Sequence, residues 1–127
     1  MTIATLEHVN ITVSDPHKTA EMICRLFDWH IRWQGPSAVG GYTIHVGTDD
    51  KYVALYSEGR TQKSEISNYR QNGGLNHIGI VVDDLDKVEK RILDAGYKTQ
   101  SHADYEPGRR FYFLDRDGVE FEVISYQ

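Results

Sequence analysis

Cysteine is almost missing from this sequence: Cys24 stands alone among 127 residues, so no disulfide can close within the chain. Long hydrophobic runs are missing too. No stretch approaches the ~20 apolar residues of a bilayer-spanning helix, so no membrane partner is expected. The opening residues MTIATLEHVN lack both the basic start and the continuous apolar stretch of a secretory signal, which makes the cytoplasm the expected location. Clusters of positive charge are also lacking. Fourteen Lys and Arg are scattered among 19 Asp and Glu for a net charge of −5, so the electrostatic footprint of a nucleic-acid binder is absent. A small-molecule partner is left as the expectation.

What is present suits one soluble domain with an ordinary core: 39% hydrophobic residues, 26% charged residues and eight tyrosines. Displacing the sequence by 69 positions aligns Leu6 with Leu75, His8 with His77, Ile11 with Ile80, Val13 with Val82, Asp15 with Asp84 and Lys18 with Lys87. This is an internal repeat. Each copy opens on a β-branched strand, LEHVNITV or LNHIGIVV, and then offers an aspartate that can cap a helix, with Pro16 at the first helical position of the first copy. Met22, Ile23, Leu26 and Phe27 recur at helical spacing in one copy; Leu85, Val88, Ile92 and Leu93 do so in the other, before Gly96. Cys24, beside Ile23, reads as a structural thiol.

Three stretches with strand character follow each helix: 30–34, 42–46 and 52–56, then 97–101, 110–114 and 119–125. The expectation is α+β: two βαβββ modules, 3–58 and 75–127, joined by a polar linker over 59–74 that holds one turn of helix, together forming a single domain over 1–127. A helix on one face of each sheet leaves the other face for a cleft between two curved sheets.

Strand alternation assigns those faces. Val9, Ile11 and Val13 share the helix-facing side, as do Ile78, Ile80 and Val82, which leaves His8 and His77 on the opposite side. In GVEFEVISY, Phe121 and Val123 face the helix and Glu120, Glu122 and Ile124 do not. Two imidazoles and a carboxylate form a compact set for one divalent metal with positions left open, while a histidine on an apolar strand can equally be a hydrogen-bonded structural residue.

The chain resembles the vicinal oxygen chelate superfamily of glyoxalase I, bleomycin-resistance proteins, extradiol dioxygenases, epimerases and fosfomycin-resistance thiol transferases. LEHVNITV, LNHIGIVV and the closing FYFLDRDGVEFEV carry the resemblance, with Glu122 four positions after Gly118 and Arg116 where proline is common. The resemblance implies His8, His77 and Glu122 as ligands of one divalent ion per site (iron, manganese, nickel or zinc). It also implies a homodimer whose modules exchange between chains. Activity is then of the lyase, isomerase or dioxygenase kind, or thiol transfer, with non-catalytic drug binding as the alternative. Tyr112 and His102 resemble active-site residues of the dioxygenases. Ala54 stands where glyoxalase I has a second carboxylate that exchanges the substrate proton, so Glu120, Tyr52 or Tyr56 would have to serve as base.

Other residues carry weaker expectations. His17, His30 and His45 read as solvated or structural, and Lys87 and Lys90 as a solvated helix face. Arg109 and Arg110 read as a basic loop edge, with a lip for an anionic substrate as the functional alternative. Trp29 is expected to close the helix end and Trp33 to line a wall of the cleft.

Overall fold

The computed structural model describes residues 2–38 and 40–127. The chain divides into two compact units, Met1–Gln62 and Lys63–Gln127. The first contains β1 (His8–Thr12), α1 (Pro16–Phe27), β2 (His30–Pro36), β3 (Tyr42–Gly47) and β4 (Tyr52–Ser57). The second contains a 3-10 turn (Asn68–Arg70), β5 (Ile78–Val81), α2 (Leu85–Asp94), β6 (Thr99–Tyr105), β7 (Gly108–Leu114) and β8 (Glu120–Ser125). Each unit is a four-stranded sheet, ordered β1-β4-β3-β2 in one and β5-β8-β7-β6 in the other. Among the described residues, no helix is long and apolar enough to cross a membrane.

The caps form as the sequence implies. The Asp15 side chain accepts hydrogen bonds from the backbone N–H groups of His17 and Lys18, and Asp84 accepts from that of Lys87. Each bond satisfies a donor that the first helical turn leaves unpaired. Helix α1 buries Pro16, Thr19, Ala20, Ile23 and Leu26, and it packs on β3 and β4, where Ile44, Val46, Val53 and Leu55 are buried. Burying each Leu or Ile side chain contributes about 1.5–3 kcal/mol. Helix α2 buries Leu85, Val88 and Ile92 in a unit whose core holds Phe111, Phe113, Phe121 and Val123. Cys24 is a half-buried free thiol that burial raises above its ordinary pKa, which leaves it protonated and unreactive.

Two expected core positions are not in the core. Val9 is 42% exposed because β1 is an edge strand and α1 lies over β2, β3 and β4. Leu93 is 49% exposed, since the buried stripe of α2 runs Leu85, Val88, Ile92 and a position next to Ile92 points away from it. The repeat extends to an irregularity in the strand after each helix. Pairing shifts between Ile31 and Trp33 in β2 and between Gln100 and Ala103 in β6. Such bulges re-aim side chains, and both affect the sites described next.

Candidate functional site

In the second unit, β8 starts from a turn built by its own residues. The Asp115 carboxylate accepts from the backbone N–H groups of Asp117 at 2.9 Å and Val119 at 3.0 Å, and Gly118 takes φ +80°, a value that disfavours any side chain. Register then places Glu122 between Gly79 of β5 and Tyr112 of β7, on the sheet face away from α2. Its two oxygens are used differently. Oε2 accepts from the Tyr112 hydroxyl at 2.7 Å and from Arg110 Nη1 at 3.1 Å, whereas Oε1 faces His77 Nε2 at 3.5 Å.

The His77 ring is fixed from its other side, with Nδ1 2.7 Å from Asn76 Oδ1. An amide oxygen can only accept, so Nδ1 donates to Asn76 and Nε2 is the ring atom turned toward Glu122. The separation between Nε2 and Oε1 is long for a hydrogen bond. It matches the spacing of about 3.4 Å between two ligands that each sit ~2.1 Å from a tetrahedrally coordinated ion. Room remains beside Oε1, because a Cβ added at Gly79 would meet only that oxygen, at 3.7 Å. His77 Nε2 and Glu122 Oε1 therefore offer two adjacent donors with the chemistry and spacing that a divalent metal takes.

The electrostatics agree. Burial pushes the Glu122 carboxyl up, but hydrogen bonds from Tyr112 and Arg110 and the neighbouring His77 outweigh it, holding the group below its ordinary value. The carboxylate is thus charged at neutral pH. The hydrogen bond to Glu122, with burial, pushes the Tyr112 phenol up to about 12, so Tyr112 acts as a donor and not as a base.

The repeated histidine of the first unit is held in the same manner. His8 Nδ1 lies 2.8 Å from Glu7 Oε1, which again orients the ring and turns Nε2 away from its anchor. Among the described residues, no group of three or more His, Cys, Asp or Glu side chains gathers around one point. His77, Glu122 and Tyr112 are brought together, and His8 belongs to the first unit with its ring stacked on Tyr52 at 4.8 Å.

His102 does not join Glu122. It bonds Glu89 of α2 through Nε2 at 2.6 Å and lies 5.9 Å from the core ring of Phe111, on the helix side of the sheet. The β6 bulge, with Ser101 at φ +55°, turns it there. Glu89 also accepts from the Thr99 hydroxyl. Burial raises the Glu89 carboxyl, and the bonds from Thr99 and His102 more than offset it.

Ala54 is buried, and each of the candidate bases is engaged within its own unit. Burial raises the Tyr52 phenol, the Tyr56 hydroxyl donates to the Gly40 carbonyl at 3.3 Å, and Glu120 accepts from Tyr69. Arg110 is the residue that the sequence reading undervalued. Its side chain is only 15% exposed, bound to Glu122 and under the Tyr105 ring, while Arg109 pairs with Asp86 at 2.9 Å. Strand alternation carried the signal, since Arg110 shares its parity with Tyr112. Trp29 packs near Phe27, 6.0 Å between rings, as a closure of the α1 end requires.

The model of the Glyoxalase/Bleomycin resistance protein/Dioxygenase superfamily matches residues 5–123. The chain belongs to this superfamily. Its fold is shared by a glyoxylase/bleomycin resistance protein/dioxygenase domain from Frankia sp. EAN1pec, with 20% identity over 99% of this chain and 94% of that one, at a TM-score of 0.82. The fosfomycin resistance protein FosX from Listeria monocytogenes, in a form complexed with Mn(II) and sulfate, matches at 18% identity over 98% and 93% of the two chains, TM-score 0.71. TnmS3, an antibiotic binding protein from Streptomyces sp. CB03234, matches at 18% identity over 98% of each chain, TM-score 0.73. Comparison with curated proteins gives no match. Proteins of this fold thus include one complexed with Mn(II) and one that binds an antibiotic.

Proposed function

We propose that the protein is a metal-dependent enzyme of this superfamily that holds a small molecule by two adjacent oxygens on a divalent ion, with His77 and Glu122 as ligands and His8 as the third. The observation that carries the reading is the pairing of His77 Nε2 with Glu122 Oε1 at 3.5 Å, each group locked from behind by Asn76, Tyr112 or Arg110. A bound ion supplies Lewis acidity, stabilising negative charge on a substrate oxygen. The chain's own contribution is orientation: Tyr112 and Arg110 keep Glu122 ionised and leave Oε1 to bind.

Ala54 itself provides no proton-abstracting base, which favours dioxygen insertion or thiol addition over glyoxalase-type isomerisation. Titration calorimetry with Mn(II), Fe(II), Ni(II) and Zn(II) should give about one ion per chain for at least one of them. Failure of all four to bind would remove the reading. The alternative of drug binding without catalysis is favoured by one observation, the exposed ring row considered below.

A homodimer belongs to the same proposal. Leu6, Val9 and Val81 lie exposed on or beside β1 and β5, strands that each pair along one side only. Open apolar edges of this kind are normally covered. Light scattering should give twice the chain mass, and a monomer at micromolar concentration would contradict it.

A further inference from the structure

In the first unit a row of rings crosses all four strands. His8 on β1 stacks on Tyr52 of β4 at 4.8 Å and 11°, Tyr52 stacks on His45 of β3 at 4.5 Å and 24°, and His45 meets Trp33 of β2 at 5.2 Å and 53°. The β2 bulge makes this possible by bringing Trp33 opposite His45. At the bulge itself, the Arg32 guanidinium lies 4.6 Å from the centre of the Tyr52 ring. Among the described residues Arg32 has no close salt bridge, and its nearest anionic influence is the Glu7 carboxylate, which it helps to hold below its ordinary pKa.

The second unit keeps only part of such a row: His77 meets Tyr112 edge-on at 5.7 Å, and Gln100, opposite Tyr112, stands where the first unit has Trp33 opposite His45. Register equates His45, opposite Ala54, with Tyr112, opposite Glu122; two positions before each, Tyr52 corresponds to Glu120. Tyr52 and Trp33 are thus the rings particular to the first copy, and Glu122 stands where that copy has Ala54. Core packing does not account for the difference, since the row lies on the sheet face away from α1 and Trp33 is 50% exposed. An indole left half in water keeps unspent apolar area, which a flat ligand can cover.

We propose that this row is a binding platform for a small molecule with a planar aromatic group and an anionic substituent, the aromatic group stacking on Trp33 and the anion pairing with Arg32. Taking that molecule as the substrate rests on the function proposed above; the binding itself does not. Stacking extends the existing column of rings and favours flat π systems over saturated ones of equal bulk. The guanidinium next to it selects for carboxylate, sulfonate or phosphonate.

The test uses three probes on the full chain: 2-naphthoate, its saturated analogue decahydro-2-naphthoate, and neutral 2-naphthylmethanol. Affinity is read by calorimetry, and contact is read from the Trp33 indole N–H signal in nitrogen-edited NMR spectra, assigned with Trp33→Phe. Naphthoate should bind about tenfold more tightly than the saturated acid and shift the Trp33 signal upfield. Trp33→Leu should lose most of that preference, Trp33→Phe should retain it, and Arg32→Gln should abolish the preference for naphthoate over the alcohol.

Equal affinity for the flat and saturated acids, binding that leaves the Trp33 signal in place, or no binding of naphthoate would each overturn the proposal. Running every titration both in chelator and with Zn(II) separates the two readings. Ring preference that survives chelation supports the platform even if no ion binds, while ion binding without ring preference leaves the metal reading standing and refutes the platform.

Discussion

Glu122→Gln should lower affinity for a divalent ion by at least about 100-fold, because it removes a charged ligand from a set of three and outer-shell changes alone cost 10–100-fold. His77→Ala should act to a similar extent. Tyr112→Phe removes only an anchoring hydrogen bond and should cost about tenfold. Calorimetry on the three variants checks the order, and equal affinities for wild type and Glu122→Gln would refute the role of Glu122. Acid unfolding adds an independent reading. Glu122 has a folded pKa below its ordinary value of 4.5, so its interactions contribute fully to stability above that pH and are lost as pH falls through the folded value. The stability gap between wild type and Glu122→Gln should therefore narrow below about pH 4.5.

Phe121→Ala should destabilise the second unit by about 3–5 kcal/mol. Phe111, Phe113 and Phe121 are all essentially without solvent exposure, and the Phe113 and Phe121 rings are stacked at 5.1 Å and 11°. Removing one leaves a cavity between a sheet and a helix that cannot collapse without breaking strand pairing. Ion binding should fall as well, since Phe121 adjoins Glu122 and sets its direction. Denaturant unfolding followed by circular dichroism measures the first effect, and a loss below about 1 kcal/mol would show that the aromatic core is more plastic than its packing indicates.

The two-module fold was legible because period-two and period-3.6 patterns occur twice at one displacement, and because Asp15 and Asp84 mark both helix starts. Alternation also placed Glu122 on the face away from the helix, and the resemblance marked Tyr112, which the register sets opposite it. The resemblance alone suggested His102, and an inserted residue at the β6 bulge turns it toward Glu89 instead. Val9 was misread for a different reason: alternation assigns a face but not whether the helix reaches that far across the sheet. Arg110 was hidden by its neighbour Arg109, the pair reading as a loop edge until strand pairing sent them to opposite faces. The ring row joins positions 8, 33, 45 and 52, which only the register between strands brings together.

Crystals grown with Mn(II) and measured at an energy where manganese scatters anomalously would test the metal centre most directly. The account predicts one peak about 2.0–2.3 Å from both His77 Nε2 and Glu122 Oε1. A peak bound elsewhere, or none at full Mn(II) loading, would contradict it.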